Sequence, residues 1–446
     1  MTNREIACVF RGIVKDPSMK NESSCALLGD TLPFAHHLCQ RLASVPGVKK
    51  IEIAGSLRRM KETVGDIDLV AVSAKPESLM KYFVSMSEVV QVQEHGTTRS
   101  IVHLSNGLDC DLRVVSAESF GSALLYFTGS KEHGIALCKI ANEKGMTLNE
   151  YGLYKENDGK KGAMVANKTE KEIYDALGLV YIEPELREMT GEIESAKQNT
   201  LQRLVSYKSL HGDFQVQSDW SDGEDSIEEL AMSAQRAGLS YIAITDHTKS
   251  LTVANGLDEK RLEKQSRLID RLNKKFHGIT ILKGSEVDIL KDGSLDISDT
   301  ALSRLDLVGI SVHSYFNLSK DEQTKRIIKA MSHPSVNILF HPTTRRINRR
   351  EECDMDLDEI YKAAKKYNVV LEINASPSRL DLKDVHIHRA QEYGCMFSID
   401  SDAHNAEHFS FLQYGIGQAR RGWLSEENIL NTRTVKEVKK VLSKKR

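Results

Sequence analysis

Residues 61–73 read KETVGDIDLVAVS. Side chains on a strand alternate between faces, so Asp66 and Asp68 share one face while Ile67 and Leu69 share the other. The apolar run that follows marks a strand inside a sheet. A second such strand is written in LDCDLRVV, residues 108–115, where Asp111 alternates with Cys110 and Leu112. If these strands are neighbours, three carboxylates converge. Such a cluster repels itself unless cations lie within it, and oxygen-only ligands suit Mg²⁺, which leaves room for substrate phosphates. Two such ions can clamp the attacking and leaving oxygens of a phosphoryl displacement. Upstream, IEIAGSLRR (51–59) ends a strand in Gly55 and Ser56, whose backbone N–H groups are placed to face a triphosphate. Arg58 and Arg59 follow, with the forked donor that suits phosphate. An Asp-X-Asp pair alone also reads as a surface turn; the ordered set argues for a site.

Bulk properties neither demand nor forbid such a site. The 446 residues are 40% hydrophobic and 28% charged, ordinary globular usage, and suffice for two to four domains of roughly 100–200 residues each. The formal net charge of −2 does not advertise nucleic-acid binding, so any DNA contact must come from local basic patches. Candidates are Arg58 and Arg59, the run Arg345, Arg346, Arg349 and Arg350, and the tail 436–446, each of which also reads as solvated surface. The seven cysteines (Cys8, Cys25, Cys39, Cys110, Cys138, Cys353, Cys395) contain no Cys-X-X-Cys pair, which suits reduced thiols. No secretory signal and no bilayer-length apolar run is visible. The expectation is a cytoplasmic monomer.

Along the chain, 33–44 has helical periodicity, 51–115 is strand-rich, and 117–145 reads as helices around a Gly129-Ser130 break. Residues 180–210 are charged, with little apolar periodicity, and read as a connector. From 212 the rhythm changes. YIAIT (241–245), ITILKGSEV (279–287), LDLVGISV (305–312), VNILFHP (336–342), VVLEINAS (369–376) and MFSID (396–400) alternate with helical stretches such as 226–237 and 356–367. Repeated strand–helix alternation means parallel strands, and a barrel is the simplest closure.

GSLRR, KETVGDIDLV, LDCDLRVV and YFTGSKEHG (126–134), in that order, resemble the palm and thumb of family X DNA polymerases. The resemblance continues through LNEYGLY, ALGLVYIEPELRE and GEIESA, covering about residues 30–205. It implies that Asp66, Asp68 and Asp111 hold two Mg²⁺ ions and that Asp111 helps activate a primer 3′-hydroxyl. Gly55, Ser56 and Arg59 would meet the incoming triphosphate. Tyr126, Phe127 and Gly129 would pack on its sugar and base, with Tyr126-Phe127 excluding ribose. Gly134 stands where the family commonly has an Asn that reaches the base edge. The family's small N-terminal domain and helix-hairpin-helix are not found ahead of this region, which leads one to expect reduced DNA affinity, processivity and lyase activity.

The second half places His and carboxylate residues after apolar strands, where barrel active sites sit. They are Asp222 in WSDG, His247 in ITDHT, Glu286 in GSEVD, His313 in SVHSY, His341 in FHPTTR, and Asp402 and His404 in IDSDAH. Imidazole suits Zn²⁺, Mn²⁺ or iron, and bridging carboxylates suit a cluster. The set resembles the polymerase-and-histidinol-phosphatase (PHP) domain over about 210–430, a distorted barrel that implies a metal-dependent phosphoesterase or 3′–5′ exonuclease. At the family's His-X-His motif this sequence has Gln215 and Gln217, which leads one to expect an incomplete cluster of Zn²⁺ or Mn²⁺ and weakened nuclease activity. Arg345 follows His341 at the family's phosphate-contacting spacing.

The expected fold is a multidomain α/β and α+β chain: a nucleotidyltransferase palm with a mixed β-sheet, then a PHP-type distorted (β/α)7 barrel. Expected boundaries are 1–50 for a residual fingers-like segment, 51–116 for the palm, 117–185 for a thumb-like region, 186–211 for a linker and 212–446 for the barrel. The leading functional expectation is template-directed DNA synthesis from dNTPs in gap filling and repair. The alternatives are a barrel phosphoesterase with a DNA-binding palm, and a non-catalytic DNA-end binding protein.

Overall fold

The computed structural model describes residues 25–157 and 160–443. Cys8, the first half of the expected 1–50 segment and the last residues of the basic tail lie outside them. The chain divides into two compact units, Met1–Asn199 and Thr200–Arg446.

In the first unit, helix α1 (Leu28–Ala43) starts five residues before the expected 33–44 stretch and carries Pro33 inside it. Leu28, Leu32, Ala35, Leu38 and Leu42 are buried along one stripe, the three-to-four spacing of an amphipathic helix. A five-stranded mixed sheet follows. It contains β1 (Val48–Ile53), β2 (Asp66–Ser73), β3 (Val89–His95), β4 (Arg99–Leu104) and β5 (Asp109–Val115), with helix α2 (Pro76–Val84) between β2 and β3. The strand order is β1-β2-β5-β4-β3. β2 and β5 pair in parallel at its centre, with Asp68 directly opposite Asp111, and the other pairs are antiparallel. Helix α3 (Phe120–Thr128) packs Phe120, Ala123 and Leu124 against Val70 and Val72 of β2. These valines share a face with Asp66 and Asp68, so the helix covers one end of that face and leaves the acidic end open.

Helix α4 (Lys131–Glu143), an antiparallel sheet of β6 (Met146–Asn149), β7 (Gly152–Asn157) and β8 (Lys160–Ala166), and helix α5 (Glu170–Ala176) complete this region. The segment expected to be a connector is folded as far as residue 198. It holds a 3-10 turn, Pro184–Leu186, and helix α6 (Glu192–Gln198). Charged groups bury it. Arg187, fully buried, donates to Glu170 Oε1 (2.7 Å) and to the Ile182 carbonyl. Glu192, also fully buried, lies 2.7 Å from His133 Nδ1 and accepts from the Met189 and Thr190 N–H groups. Ionic burial leaves no apolar period in the sequence.

The second unit is a parallel seven-stranded sheet in sequential order: β9 (Gly212–Val216), β10 (Tyr241–Ile244), β11 (Thr280–Asp288), β12 (Leu307–Ser311), β13 (Ile338–Leu339), β14 (Val370–Asn374) and β15 (Phe397–Asp400). A bridge between Val216 and Ala403 joins its two edges, so the sheet closes into the expected barrel. Crossover helices α7 (Ile227–Arg236), α8 (Glu259–Lys275), α9 (Lys320–Met331), α10 (Leu357–Tyr367), α11 (Asp384–Glu392) and α12 (Leu412–Arg421) bury apolar stripes against it. At the strand starts Tyr241, Leu307, Ile338 and Val370 form a cluster with Val438 and Leu442 of helix α13 (Val435–Ser443). The described part of the basic tail therefore plugs the end of the barrel away from the strand C-termini.

The ionic core of the first unit has a pH signature. Burial opposes the charge of Glu170, but Arg187 and Arg58 outweigh it and hold the carboxyl at about 2. A depressed carboxyl contributes stability that is complete above its unfolded value and fades as pH falls through the folded one. The contribution, about 3 kcal/mol, is expected to disappear between pH 4.5 and about 2. Urea midpoints across this window should fall more steeply for the wild type than for Glu170→Gln; parallel slopes refute the assignment.

Candidate active sites: a carboxylate cleft and a histidine cleft

The first site lies at the open end of the mixed sheet. Asp66 and Asp68 line a cleft of about 670 Å³, together with Gly55, Ser56, Arg59, Tyr126, Phe127 and Gly129. Parallel register sets Asp66 opposite Asp109 and Asp68 opposite Asp111. Burial pushes the Asp68 carboxyl up to about 7, and the neighbouring charges of Asp66 and Asp111 add to the shift. Asp66 is raised by burial and then by Asp111 and Asp109. Asp111 is not among the residues lining the cleft. Its Oδ2 is held by Arg99 (3.1 Å) and Arg113 (3.2 Å), while its Oδ1 is buried without a partner. Ser56 Oγ is also buried without a partner. Mutually repelling carboxylates and orphaned oxygen atoms fit a divalent cation and phosphate oxygens.

Local backbone makes this arrangement possible. Gly55 has φ +60°, and a Cβ there would lie 2.1 Å from Asp68 Oδ2, so glycine is required both for the turn and for the carboxylate's place. Arg59 donates to Glu188 (2.9 Å) and to the Thr128 carbonyl (2.6 Å), which fixes its guanidinium beside the cleft. Arg58, expected beside it as a phosphate contact, instead forks onto Glu170 at 2.8 and 2.6 Å. Tyr126 and Phe127 meet edge to face at 5.1 Å, and the Arg113 guanidinium lies 4.5 Å from the Phe127 ring centroid. Gly134 lines the same cleft, and a Cβ at that position meets nothing within 4 Å. Sequence reading missed Arg99, Arg113 and Glu188. Arg113 was within reach of the two-residue rule, since it shares a strand face with Asp111.

The second site gathers at the C-terminal ends of the barrel strands around Glu286. His313 Nε2 lies 3.2 Å and His341 Nε2 2.8 Å from Glu286 Oε1, and His247 Nδ1 lies 3.4 Å from Oε2. Two sets bring one ligand atom per residue within 4.8 Å of one another: Asp222, His247 and His404, and His247, Glu286 and His313. Burial opposes the charge on Glu286, but His247 and His313 hold it well below the usual carboxylate range. Burial likewise opposes protonation of His313 and His404, yet their carboxylate neighbours raise both to about 9. Burial, reinforced by Arg379, takes His341 down to about 4. Protons here occupy places that suit divalent ions, and His341 Nδ1 and Glu372 Oε1 are buried without partners. The donor set fits imidazole-binding metals.

Gln215 and Gln217 are fully buried in this site and hydrogen-bonded. Gln217 Nε2 donates to Glu286 Oε2 (2.9 Å), and Gln215 Oε1 accepts from Asn374 (2.9 Å). Asn374 also donates to Asp402 Oδ2 (3.2 Å), and Arg379 Nε lies 3.4 Å from the same oxygen. The corner next to the glutamines is therefore filled by carboxamides and a guanidinium. Arg345 does not line this cleft. It is buried, donates to the Leu380 carbonyl and sits beside Asp381. Arg346, Arg350 and Arg379 line the cleft instead. Asp288, which holds His313 Nδ1 at 2.7 Å, was also missed, although it shares a strand face with Glu286.

Two family models match the chain: the DNA polymerase beta thumb over residues 123–188 and the PHP domain over 213–376. The chain is 38% identical over 419 residues to a protein of Bacillus subtilis (strain 168) described as DNA polymerase/3′-5′ exonuclease PolX, covering 94% of this chain and 73% of that one. Over its second half it is similar to shorter proteins. A probable phosphatase of Thermoanaerobacter sp. (strain X514) is 30% identical over 230 residues, 49% of this chain and 89% of that one. A probable phosphatase of Caldicellulosiruptor bescii is 29% identical over 188 residues, 40% of this chain and 73% of that one.

Gly55→Ala is expected to displace the Asp68 carboxylate. Mg²⁺-dependent dNTP binding, followed by calorimetry, should fall below detection, while thermal unfolding shows the cost of a strained left-handed residue, about 1–2 kcal/mol. Binding at wild-type strength would show that the close approach of Gly55 to Asp68 is not needed.

Proposed function

The chain belongs to the family X DNA polymerases that carry a PHP domain, and from that premise we propose the working parts of its two clefts. Family membership makes it a DNA polymerase with an exonuclease-type phosphoesterase module, and hence one whose substrates are DNA and dNTPs. The observation that carries the assignment of synthesis to the first cleft is the parallel register of β2 and β5, which sets Asp68 opposite Asp111.

In this reading Asp66, Asp68 and Asp111 hold Mg²⁺, which supplies the positive charge that a displacement at the α-phosphate requires. The chain's own groups do the rest. Ser56 offers a free hydroxyl, and Arg59, braced by Glu188, offers a fixed guanidinium to the triphosphate. Tyr126 and Phe127 form the wall against the sugar, steadied by Arg113. Gly134 leaves open the space where a side chain would reach the base edge. Asp111 Oδ1 is the atom that would take the proton of the primer hydroxyl. Arg99 and Arg113 keep the other oxygen occupied and so fix the carboxylate's orientation.

In the barrel, Asp222, His247 and His404, with Glu286, His313, His341 and Asp402, would hold Zn²⁺ or Mn²⁺. Bound metal there supplies an activated water and neutralises a phosphate. The hydrogen bonds of Gln215 and Gln217 support an incomplete cluster and slow 3′–5′ cleavage. No helix among the described residues is long and apolar enough to cross a membrane. The free thiols Cys39, Cys110, Cys138, Cys353 and Cys395 support a reducing, cytoplasmic setting; a monomer is the working unit of this proposal.

Asp66→Ala and Asp111→Ala should each cut extension of a primer across a gap by at least about 10²–10³-fold, with the thermal transition of the barrel unchanged. Extension by either variant near the wild-type rate would sink the metal-holding roles of these carboxylates. For the barrel, replacing both glutamines (Gln215→His with Gln217→His) should raise tightly bound manganese by about one equivalent and speed primer shortening. Unaltered metal content in a folded double variant would show that the glutamines do not limit the cluster.

A further inference from the structure

The barrel cleft contains a second feature besides its metal-binding groups. It is about 470 Å³ in volume, within the range of roughly 300–1,000 Å³ common to small-molecule sites. Beyond the histidines it is lined by Arg346, Arg350 and Arg379, and by Val253, Phe316 and Phe411. The three guanidiniums lie near enough to repel one another. Arg379 lowers the pKa of Arg346 more than any other cause, and Arg350 is lowered by burial, then by Arg379 and Arg346. Asp402 is the acid that faces Arg346 and Arg379; Asp381 lies near Arg350. Arg379 is more than nine-tenths buried, yet its Nη1 has no hydrogen-bond partner among the described residues. A buried, unpartnered guanidinium nitrogen within a group of like charges calls for an anion with several acceptor oxygens.

The apolar side of the cleft narrows the class of anion. Val253 is 90% exposed, and the Phe316 ring is covered by the Arg350 guanidinium at 4.3 Å. A cationic wall facing aromatic and apolar lips matches a backbone phosphate with its attached base, because bases stack on aromatic rings and guanidinium planes while phosphates meet arginine. We propose that Arg346, Arg350 and Arg379 form a subsite for the phosphate next to the one being cleaved. With Phe316 and Phe411 against the neighbouring base, they would select a single-stranded DNA 3′ end over a free phosphomonoester. This rests on reading the barrel as a phosphoesterase. It moves the phosphate contact expected of Arg345 to two other members of the basic run and to Arg379, which no motif indicated.

The test measures binding of a 5′-fluorescein tetrathymidylate to the full chain by anisotropy in EDTA, with inorganic phosphate as competitor. Arg346→Ala is the cleanest variant, since Arg346 is exposed and its side chain makes no hydrogen bond or ion pair among the described residues. Affinity should fall about tenfold, and the slope of log affinity against log salt should shrink by about 0.7. Arg379→Lys should weaken binding in the same way, and Phe316→Ala should weaken it at least about fivefold. Millimolar phosphate should compete poorly with the oligonucleotide. Wild-type affinity and salt slope in folded Arg346→Ala and Arg379→Lys would overturn the subsite, as would phosphate competing as well as the oligonucleotide. Manganese-dependent shortening of the same strand is followed in parallel. If shortening persists while binding ignores these arginines, the subsite fails and the phosphoesterase reading stands.

Discussion

Charge repulsion among clustered carboxylates is the constraint on which the first cleft is built. A sheet that sets Asp68 opposite Asp111, with Asp66 on the same face, gathers like charges, Asp68 and Asp111 half-buried and Asp66 exposed. Their interaction is worth about 1 kcal/mol at 4 Å in water and several times that near a protein surface. The fold accommodates this in two ways. Burial and neighbouring charge raise Asp68 to about 7, so part of the charge is removed by a proton. Arg99 and Arg113 neutralise one oxygen of Asp111. What remains is a site with deficient positive charge next to a glycine turn that admits nothing larger than hydrogen. That deficit suits a divalent cation and phosphate oxygens.

The barrel meets the same problem with different groups. Glu286 stays ionised because His247 and His313 face it, and His313 carries a proton where a metal suits the geometry. At the glutamine corner the solution is hydrogen bonding. Gln217 donates to Glu286, and Asn374 links Gln215 to Asp402. An amide dipole is a weaker substitute for a cation than imidazole-bound metal, so the corner is electrostatically satisfied only in part. Arg379, 3.4 Å from Asp402, supplies a further fixed charge.

Strand alternation made much of this legible in the sequence. The period of two put Asp66 and Asp68 on one face, and apolar runs ending in His or carboxylate residues marked the barrel ends. Illegible parts share one physical cause: they are held by ion pairs between residues far apart in the chain. Segment 184–198 looked like a connector because Arg187 and Glu192, buried by Glu170 and His133, leave no hydrophobic period. Arg345 does not reach the cleft expected of it because a motif spacing fixes position along the chain, not whether a guanidinium turns into the core toward Asp381 or remains in the cleft as Arg379 does. Arg58 and Arg59, adjacent in sequence, diverge to Glu170 and Glu188 for the same reason.

Beside the first cleft and within the second, a carboxylate is paired with arginine while other ligands stay available: Asp111 with Arg99 and Arg113, and Asp402 with Arg379. A fixed guanidinium cannot leave, so it lowers the repulsion of the empty cluster without competing for the remaining oxygens. The cost is selectivity, because each arginine removes one acceptor oxygen from any incoming ion. Neither the half-exposed pairs of Asp111 nor the buried pair of Asp402 with Arg379 contributes much net stability. Their value here is orientational: they hold a carboxylate in one pose before metal and substrate arrive, and preorganised charge of that sort does most for a phosphoryl transfer. The arginines near these sites thus set the pose of the acids that face them.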